Sequence, residues 1–299
     1  MHIKVSAIVS SFNGVKYLPA FLENAAGQTI KDQLEIVLVH NQPSEEEVAL
    51  VKAFQEKYPG LITHIIVPRE LLAISMNRCI KAAQGEYVCI WNIDDLRTEN
   101  SLELQMKVLD ENSEVTFTYG DYIIVNQWQS QQGRLITEPE FEKREFIRSM
   151  HLGPFYMWRK SVCEHIGYFD EQCLQGADYE LAVRLAVEYE GKKNQGLLGY
   201  YLDEGLGLST KRATLQPIER TFIELRYGVY RKLDFLYYAR AKKYRLDEVL
   251  EDGKWVPIDT LAPHRNQYVE SKWWAVYAVV RYPFWILKRV INKFRRKLL

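Results

Sequence analysis

Residues 4–92 alternate between two kinds of pattern, and that alternation limits the fold more than any other feature. Apolar runs at 4–10 (KVSAIVS), 34–40 (LEIVLVH), 62–68 (ITHIIVP) and 86–92 (EYVCIWN) are short and rich in β-branched residues, as buried strands are. Between them, apolar residues recur at helical spacing. Tyr17, Leu18, Phe21, Leu22 and Ala25 share one face, and Val48, Val51 and Phe54 share another. A further helix is predicted over 72–85, stopped by Gly85. Ser44, with Glu47 three residues on, reads as a capping box that opens the helix over 44–58. Strand and helix repeated in this way need crossover connections, hence a mostly parallel sheet covered by helices. In open sheets of this kind ligands bind beyond the carboxyl ends of the strands. Three polar segments fall at such ends: 10–14 (SSFNG), 40–44 (HNQPS) and 92–95 (NIDD).

Asp94 and Asp95 are adjacent carboxylates at the last of these ends. Two such charges repel unless a divalent cation, a cationic partner or open water relieves them. A plainer reading is that they cap a helix over 97–109. No GxGxxG follows a strand and no GxxxxGK[ST] occurs, so neither an obvious dinucleotide site nor a P-loop is present. Beyond residue 100 the pattern loosens. Residues 114–126 read as strand, 127–140 as polar loop, 153–191 as strand, turn and helix, and 220–240 as aromatic-rich helix.

Charge also divides the chain. Its 39 basic and 39 acidic residues cancel, but residues 271–299 hold eight Lys or Arg and no acid, which leaves −8 on the remainder. An acidic body argues against a nucleic-acid partner, and a basic tail suits an anionic surface. After Pro283, Phe284, Leu287, Ile291, Phe294 and Leu298 recur every three or four residues among basic ones. That is the pattern of an interfacial membrane helix, or of a helix packed on the body or in a dimer interface. Its apolar runs are too short for a membrane span. Cys79, Cys89, Cys163 and Cys173 lack metal-type spacing and read as reduced, buried residues of a cytoplasmic protein. The N-terminus reads as a first strand, not as a signal peptide.

The segments SSFNGVKYLPAFLENAAGQTI, QGEYVCIWNIDD and MWRKSVCEHIGYFDEQCLQGADYELAVRLA, in that order, resemble glycosyltransferase family 2, the inverting GT-A-type nucleotide-sugar transferases, over about residues 3–215. The resemblance implies an α/β fold with a GT-A-type, Rossmann-like, mostly parallel sheet flanked by helices and a C-terminal helical extension. A nucleotide-sugar half would span about 1–100, an acceptor half about 101–215, the extension 216–270 and the basic tail 271–299. It implies transfer of one sugar from a nucleoside-diphosphate sugar to a glycan or lipid-linked hydroxyl, with Asp178 as general base. Ala177-Asp178 matches the family's Glu-Asp pair, although a helix N-cap would also use Asp178. Asp94 and Asp95 match the metal–diphosphate site, for Mn²⁺ or Mg²⁺. Ser10, Asn13, Asn41, Asn77, Asn92, Asp94, Lys211 and Arg212 would contact the donor, and Tyr156 and Trp158 the acceptor. A lipid-linked acceptor in cell envelope polysaccharide biosynthesis, met at the inner face of the plasma membrane, would suit the tail, and an oligomer is compatible.

The chain also departs from the family. It has Val39-His40-Asn41-Gln42-Pro43-Ser44 where Val-Asp-Asp-Gly-Ser is common, so Asn41 replaces the acid that takes the N3 proton of uracil. A base other than uracil thereby gains ground. Asn92 replaces the first acid of the metal motif, and Ser75-Met76-Asn77 replaces Ala-Arg-Asn. Ser209, Thr210, Lys211 and Arg212 stand near an expected His. These losses admit a second reading, a catalytically degenerate relative acting as a nucleotide- or glycan-binding partner protein. The Gln-x-x-Arg-Trp motif of processive members is absent, so a polysaccharide synthase is not expected.

Overall fold

The computed structural model describes residues 2–149, 151–204, 215–229 and 235–295. Strands β1 (Val5–Ser11), β2 (Leu34–Asn41), β3 (Ile62–Val67) and β4 (Tyr87–Ile90) alternate with helices α1 (Leu18–Ala26), α2 (Glu45–Lys57) and α3 (Leu72–Ala82). β1 lies between β2 and β4, and β3 flanks β2, all in parallel. Every residue of β2 and β4 is buried, which is why these runs are continuous rather than alternating. Successive side chains go to opposite faces. Val5, Ala7 and Val9 pack with Leu18, Phe21 and Leu22 on one side of the sheet, while Ile8 packs with Met76, Cys79 and Ile80 on the other. All four cysteines are buried and unpaired.

Two boundaries differ from expectation. β4 ends at Ile90, so residues 92–95 form a turn beyond the strand, closed by the Asp95 N–H donating to the Asn92 carbonyl (3.1 Å). α3 ends at Ala82, and Gly85 serves the sheet instead. Its N–H donates to Ser6 Oγ (2.8 Å), and a Cβ there would lie 2.7 Å from the Ser6 backbone nitrogen.

The chain continues through β5 (Leu96–Arg97), α4 (Ser101–Glu111), β6 (Val115–Val125), β7 (Arg134–Ile136), α5 (Lys143–Arg148), β8 (Met157–Arg159), α6 (Cys163–Ile166), α7 (Ala177–Glu188) and β9 (Glu190–Leu202). The sheet order is β3-β2-β1-β4-β8-β6-β9-β5, with β7 on β6. This half is mixed: β8 runs antiparallel to β4 and β6, and β5 to β9, while β6 and β9 are parallel. Residues 127–140, read as loop, contain β7.

α8 (Leu215–Arg226), α9 (Phe235–Ala241), β10 (Glu248–Glu251), β11 (Lys254–Pro257), α10 (Ile258–Leu261) and α11 (Lys272–Arg295) follow. The stretch 216–270, read as helical, thus includes an antiparallel β10–β11 hairpin. Buried charges bolt it to the body. Arg226 pairs with Asp170 (2.8 Å) and Glu180 (2.9 Å), and all three side chains are fully buried. Removing one member of such a set leaves an uncompensated charge and costs about 3–5 kcal/mol. On α11, Trp273, Val276, Tyr277, Val280, Phe284 and Leu287 are exposed and form one stripe at spacings of three and four. Among the described residues no helix is long and apolar enough to cross a membrane.

Candidate active site

Because β1 pairs with both β2 and β4, the loops after these three strands emerge side by side. Gly14 brings the first loop against the acid turn, since a Cβ there would lie 2.4 Å from Ile93 Cδ1 and 2.5 Å from Ser11 Oγ. Asn13 and Gln42, at the ends of β1 and β2, have left-handed φ values of 53° and 46°, a strain that tends to gather at binding sites.

Glu47 fastens two of these loops together. Its buried carboxylate accepts the Gly14 N–H (2.5 Å) and the Ser44 N–H (2.8 Å), while Ser44 Oγ accepts the Glu47 N–H (3.2 Å). The capping box is therefore formed, and its acid also clamps the loop after β1. Burial would raise the Glu47 pKa, but the N–H groups of Ser44 and Gly14 outweigh it and hold the carboxyl below its ordinary value. His40 is buried between Glu47 (3.5 Å) and His64 (3.1 Å), and burial lowers the pKa of both imidazoles.

Asn41 is engaged on every side. It donates to Ser10 Oγ (3.2 Å) and Ser75 Oγ (3.0 Å) and accepts the Glu70 N–H (2.9 Å), so it joins the ends of β1, β2 and β3 to α3. In the loop after β1 the half-exposed ring of Phe12 carries the Arg69 guanidinium 4.1 Å from its centroid. Sequence reasoning passed over both residues. The available signal was an aromatic in the loop after β1 and an arginine just past β3, each at a carboxyl end. Asn77 is fully buried. It donates to the Phe169 carbonyl (2.9 Å) and Glu171 (3.1 Å) and accepts the Phe169 N–H (2.8 Å), so it fixes the segment before α7 from within the core.

In the acid turn the two carboxylates differ. Asp95 is 1% exposed, and its oxygens accept the Leu202 N–H (3.0 Å) and the Asn92 amide (3.0 Å). Burial, then the neighbouring Asp94 charge, push its pKa up to about 8. Asp94 remains partly exposed, and burial raises its pKa, with the Glu204 charge adding to that. Glu204 itself is held by Lys16 (2.9 Å) and the Tyr17 hydroxyl (3.3 Å), contacts that no sequence motif announced. The buried Arg97 guanidinium donates to Gln105 (2.9 Å) and the Ile90 carbonyl (3.1 Å) rather than to the acids. α4 begins at Ser101 with Asn100 at its N-cap, so the acids do not cap it. Among the described residues no cluster of three or more His, Cys, Asp or Glu forms a ready metal cage. An under-neutralised carboxyl pair with one open member nevertheless fits a divalent ion, for which Asp94 would be the exposed ligand and whose charge would offset the pair.

Asp178 lies in the first turn of α7, whose N-cap is Gly176, so it does not cap the helix. Its Oδ1 accepts the Tyr179 N–H (2.8 Å). The side chain is open to solvent in otherwise dense surroundings. Desolvation raises its pKa, the Tyr179 N–H opposes that, and the Glu219 charge adds to it. Tyr156 is 1% exposed, and its hydroxyl has no hydrogen-bond partner among the described residues. Burial and the nearby Asp178 charge raise its pKa well above the ordinary value. The Cys89–Met157 register sets Tyr156 level with Ile90, at the same sheet end as the acid turn. Trp158 is fully buried. It stacks on Tyr156 (5.1 Å between centroids) and donates to Cys163 Sγ (3.5 Å), so it can support an acceptor contact only through Tyr156. Lys211 and Arg212, like Ser209 and Thr210, lie outside the described residues.

A family model described as glycosyl transferase family 2 matches residues 6–167. The chain belongs to glycosyl transferase family 2. An uncharacterized glycosyltransferase of Methanocaldococcus jannaschii is 24% identical over 197 residues, covering 62% of this chain and 66% of that protein. The cholesterol galactosyltransferase of Borreliella burgdorferi is 31% identical over 114 residues, covering 38% of this chain and 31% of that protein. The minor teichoic acid biosynthesis protein GgaB of Bacillus subtilis is 25% identical over 205 residues, covering 64% of this chain and 22% of that protein. The chain therefore spans from 22% to 66% of the length of these relatives. Among solved structures, S. aureus TarS 1–349 in complex with UDP-GlcNAc superposes with a TM-score of 0.60 at 20% identity, covering 77% of this chain and 65% of that one. A mannosyltransferase from Pyrobaculum calidifontis in complex with GDP-Man and Mn²⁺ gives 0.52 at 18% identity, covering 93% and 73%. The fold here is GT-A, and the family to which the chain belongs is one of glycosyl transferases.

Proposed function

We propose that the protein is an inverting transferase that moves one sugar from a nucleoside-diphosphate sugar to a hydroxyl of a glycan or lipid-linked acceptor. The observation that carries this reading is Asp178, an exposed carboxylate in the first turn of α7 near Tyr156, which lies level with the end of the strand that leads into the acid turn. The acceptor oxygen attacks the anomeric carbon from the face opposite the leaving group. Its proton passes to Asp178, the bond from carbon to the phosphate oxygen breaks, and the nucleoside diphosphate leaves with the electron pair. A carboxylate whose pKa is raised toward neutrality is a better general base than an ordinary one. The Tyr156 hydroxyl, near Asp178 and without a hydrogen-bond partner among the described residues, is our candidate donor to the acceptor.

On the donor side, the nucleobase stacks against Phe12 and Arg69, while Asn41 shapes the pocket floor through Ser10, Ser75 and Glu70. Asn13 and Asn92 line the sugar–diphosphate path. Asp94 would hold a divalent ion, which neutralises charge on the departing diphosphate when bound, and Asp95 fixes the turn from below. The likenesses to GgaB and TarS favour a role in cell envelope polysaccharide synthesis. The exposed stripe of α11 and the basic residues of 271–299 favour attachment to an anionic membrane surface. Calorimetry with UDP, GDP, CDP and dTDP, with and without Mn²⁺, tests the reading. One nucleotide binds, more tightly with metal, and its sugar conjugate is hydrolysed. Binding without turnover over a full acceptor panel would mark a degenerate relative, and no nucleotide binding would end the proposal.

A further inference from the structure

Asp178 sits at the start of α7, and what sets its place comes from beyond residue 215, where the sequence resemblance to the family ends. The turn at 174–176 leads directly into that helix. Three successive backbone N–H groups of this turn converge on one side chain of α8. Leu174 N–H donates to Glu219 Oε1 (2.8 Å), while Gln175 N–H (2.8 Å) and Gly176 N–H (2.7 Å) donate to Oε2. The Tyr244 hydroxyl completes the set at Oε1 (2.8 Å). Glu219 is fully buried, and its partners among the described residues are these backbone and phenol donors. Arg220, next in sequence, turns instead to Glu224 (3.0 Å). At Gly176 a Cβ would lie 3.3 Å from both Glu219 Cβ and Oε2, a tight approach that shows how closely the carboxylate meets the turn.

We propose that Glu219 is a positioning residue for the base. Its carboxylate clamps the 174–176 turn, so that the first turn of α7 presents Asp178 near Tyr156. The inference rests on the assignment of Asp178 as base. Its second consequence is electrostatic. Among the described residues, the groups that face Asp178 are Tyr156 from the β8 side, Glu219 from α8 and the adjacent Tyr179, over whose ring the Arg220 guanidinium lies at 6.0 Å. Of these, Glu219 supplies the negative charge that adds to the base's proton affinity. A merely structural clamp would hold the turn without this effect. The extension beyond residue 215 is then part of the catalytic apparatus, because a boundary drawn there removes the residue that aims the base.

The test uses the full chain and follows hydrolysis of UDP-GlcNAc and GDP-mannose in parallel, with donor affinity measured separately. Glu219→Ala should lower kcat at least ten-fold while donor affinity stays within two-fold. Glu219→Gln keeps one acceptor oxygen and loses the charge. It should recover part of that kcat and move the acid limb of the pH–rate profile to lower pH, since a vanished negative neighbour lowers the Asp178 pKa. Unchanged kcat and an unmoved acid limb in Glu219→Gln overturn the proposal, and so does a loss of donor affinity that tracks the loss of kcat. If Glu219→Ala does not fold, the acid limb of Glu219→Gln decides alone. Asp178→Asn is run beside them. Its full activity overturns the base assignment itself, whereas an inactive Asp178→Asn with an unmoved Glu219→Gln profile sinks only the role of Glu219.

Discussion

Replacing Glu47 by Gln keeps the side chain's shape and removes its charge, at the point where the loops after β1 and β2 are joined. The carboxylate receives two backbone N–H groups, from Gly14 at 2.5 Å and Ser44 at 2.8 Å. An amide offers one oxygen, so one of these donors then faces an N–H. Losing a hydrogen bond to a charged group costs about 1.5–3 kcal/mol, and turning the other into a neutral bond costs about 1 kcal/mol more. A loss of about 3 kcal/mol is expected, a large share of the ~5–15 kcal/mol that holds a domain folded. The pH dependence has a definite sign. Glu47 titrates below its ordinary 4.5 in the folded state, so its stabilisation is fully present above that value and is lost as pH falls through the lowered one. Urea unfolding of both proteins at neutral pH should give the full gap with equal m values, and the gap should narrow in acid below the ordinary carboxyl range. Nucleotide affinity should fall alongside, because the two loops no longer hold each other. A gap under about 1 kcal/mol at neutral pH, or one that does not change in acid, would refute the clamp.

Phe12→Ala removes a half-exposed ring, so stability should change little, while nucleotide affinity should fall about ten-fold, in line with about 1–3 kcal/mol for stacking one base. Equal affinity would remove Phe12 from the donor site. Tyr156→Phe deletes a buried hydroxyl that has no partner among the described residues, so unfolding should show no loss of stability, while KM for the acceptor rises. A clear loss of stability would mean that the hydroxyl serves the core. The full chain should pellet with anionic vesicles, and less so as salt is raised, whereas a chain lacking 271–299 should not. Equal binding of the two would end the membrane proposal.

The first half of the fold was legible in the sequence because buried parallel strands leave continuous apolar runs, and because Ser44 and Glu47 announce a helix start. The second half was less so. β8 is three residues long and β7 lies in a polar stretch, and both owe their place to antiparallel neighbours rather than to a pattern of their own. In the site, Asp94 and Asp178 could be singled out as acids in a recognisable context, but the division of labour could not. That Asp95 faces inward depends on the Leu202 N–H, far along the chain. Asn77 and Trp158 sit in segments that resemble a binding motif, yet their side chains close on Phe169 and Cys163 in the core. Glu219 reads in isolation as one more helical acid, and only the folded chain brings three N–H groups to it.

The central claim is that Asp178 takes the acceptor's proton, and Asp178→Asn tests it most directly. The amide oxygen can still accept the Tyr179 N–H, so folding and nucleotide affinity should match the parent. A general base contributes about 10²–10⁴-fold, and kcat should fall by that amount while KM for the donor holds. A variant that transfers sugar within about three-fold of the parent rate, where that contribution should have disappeared, would contradict the account.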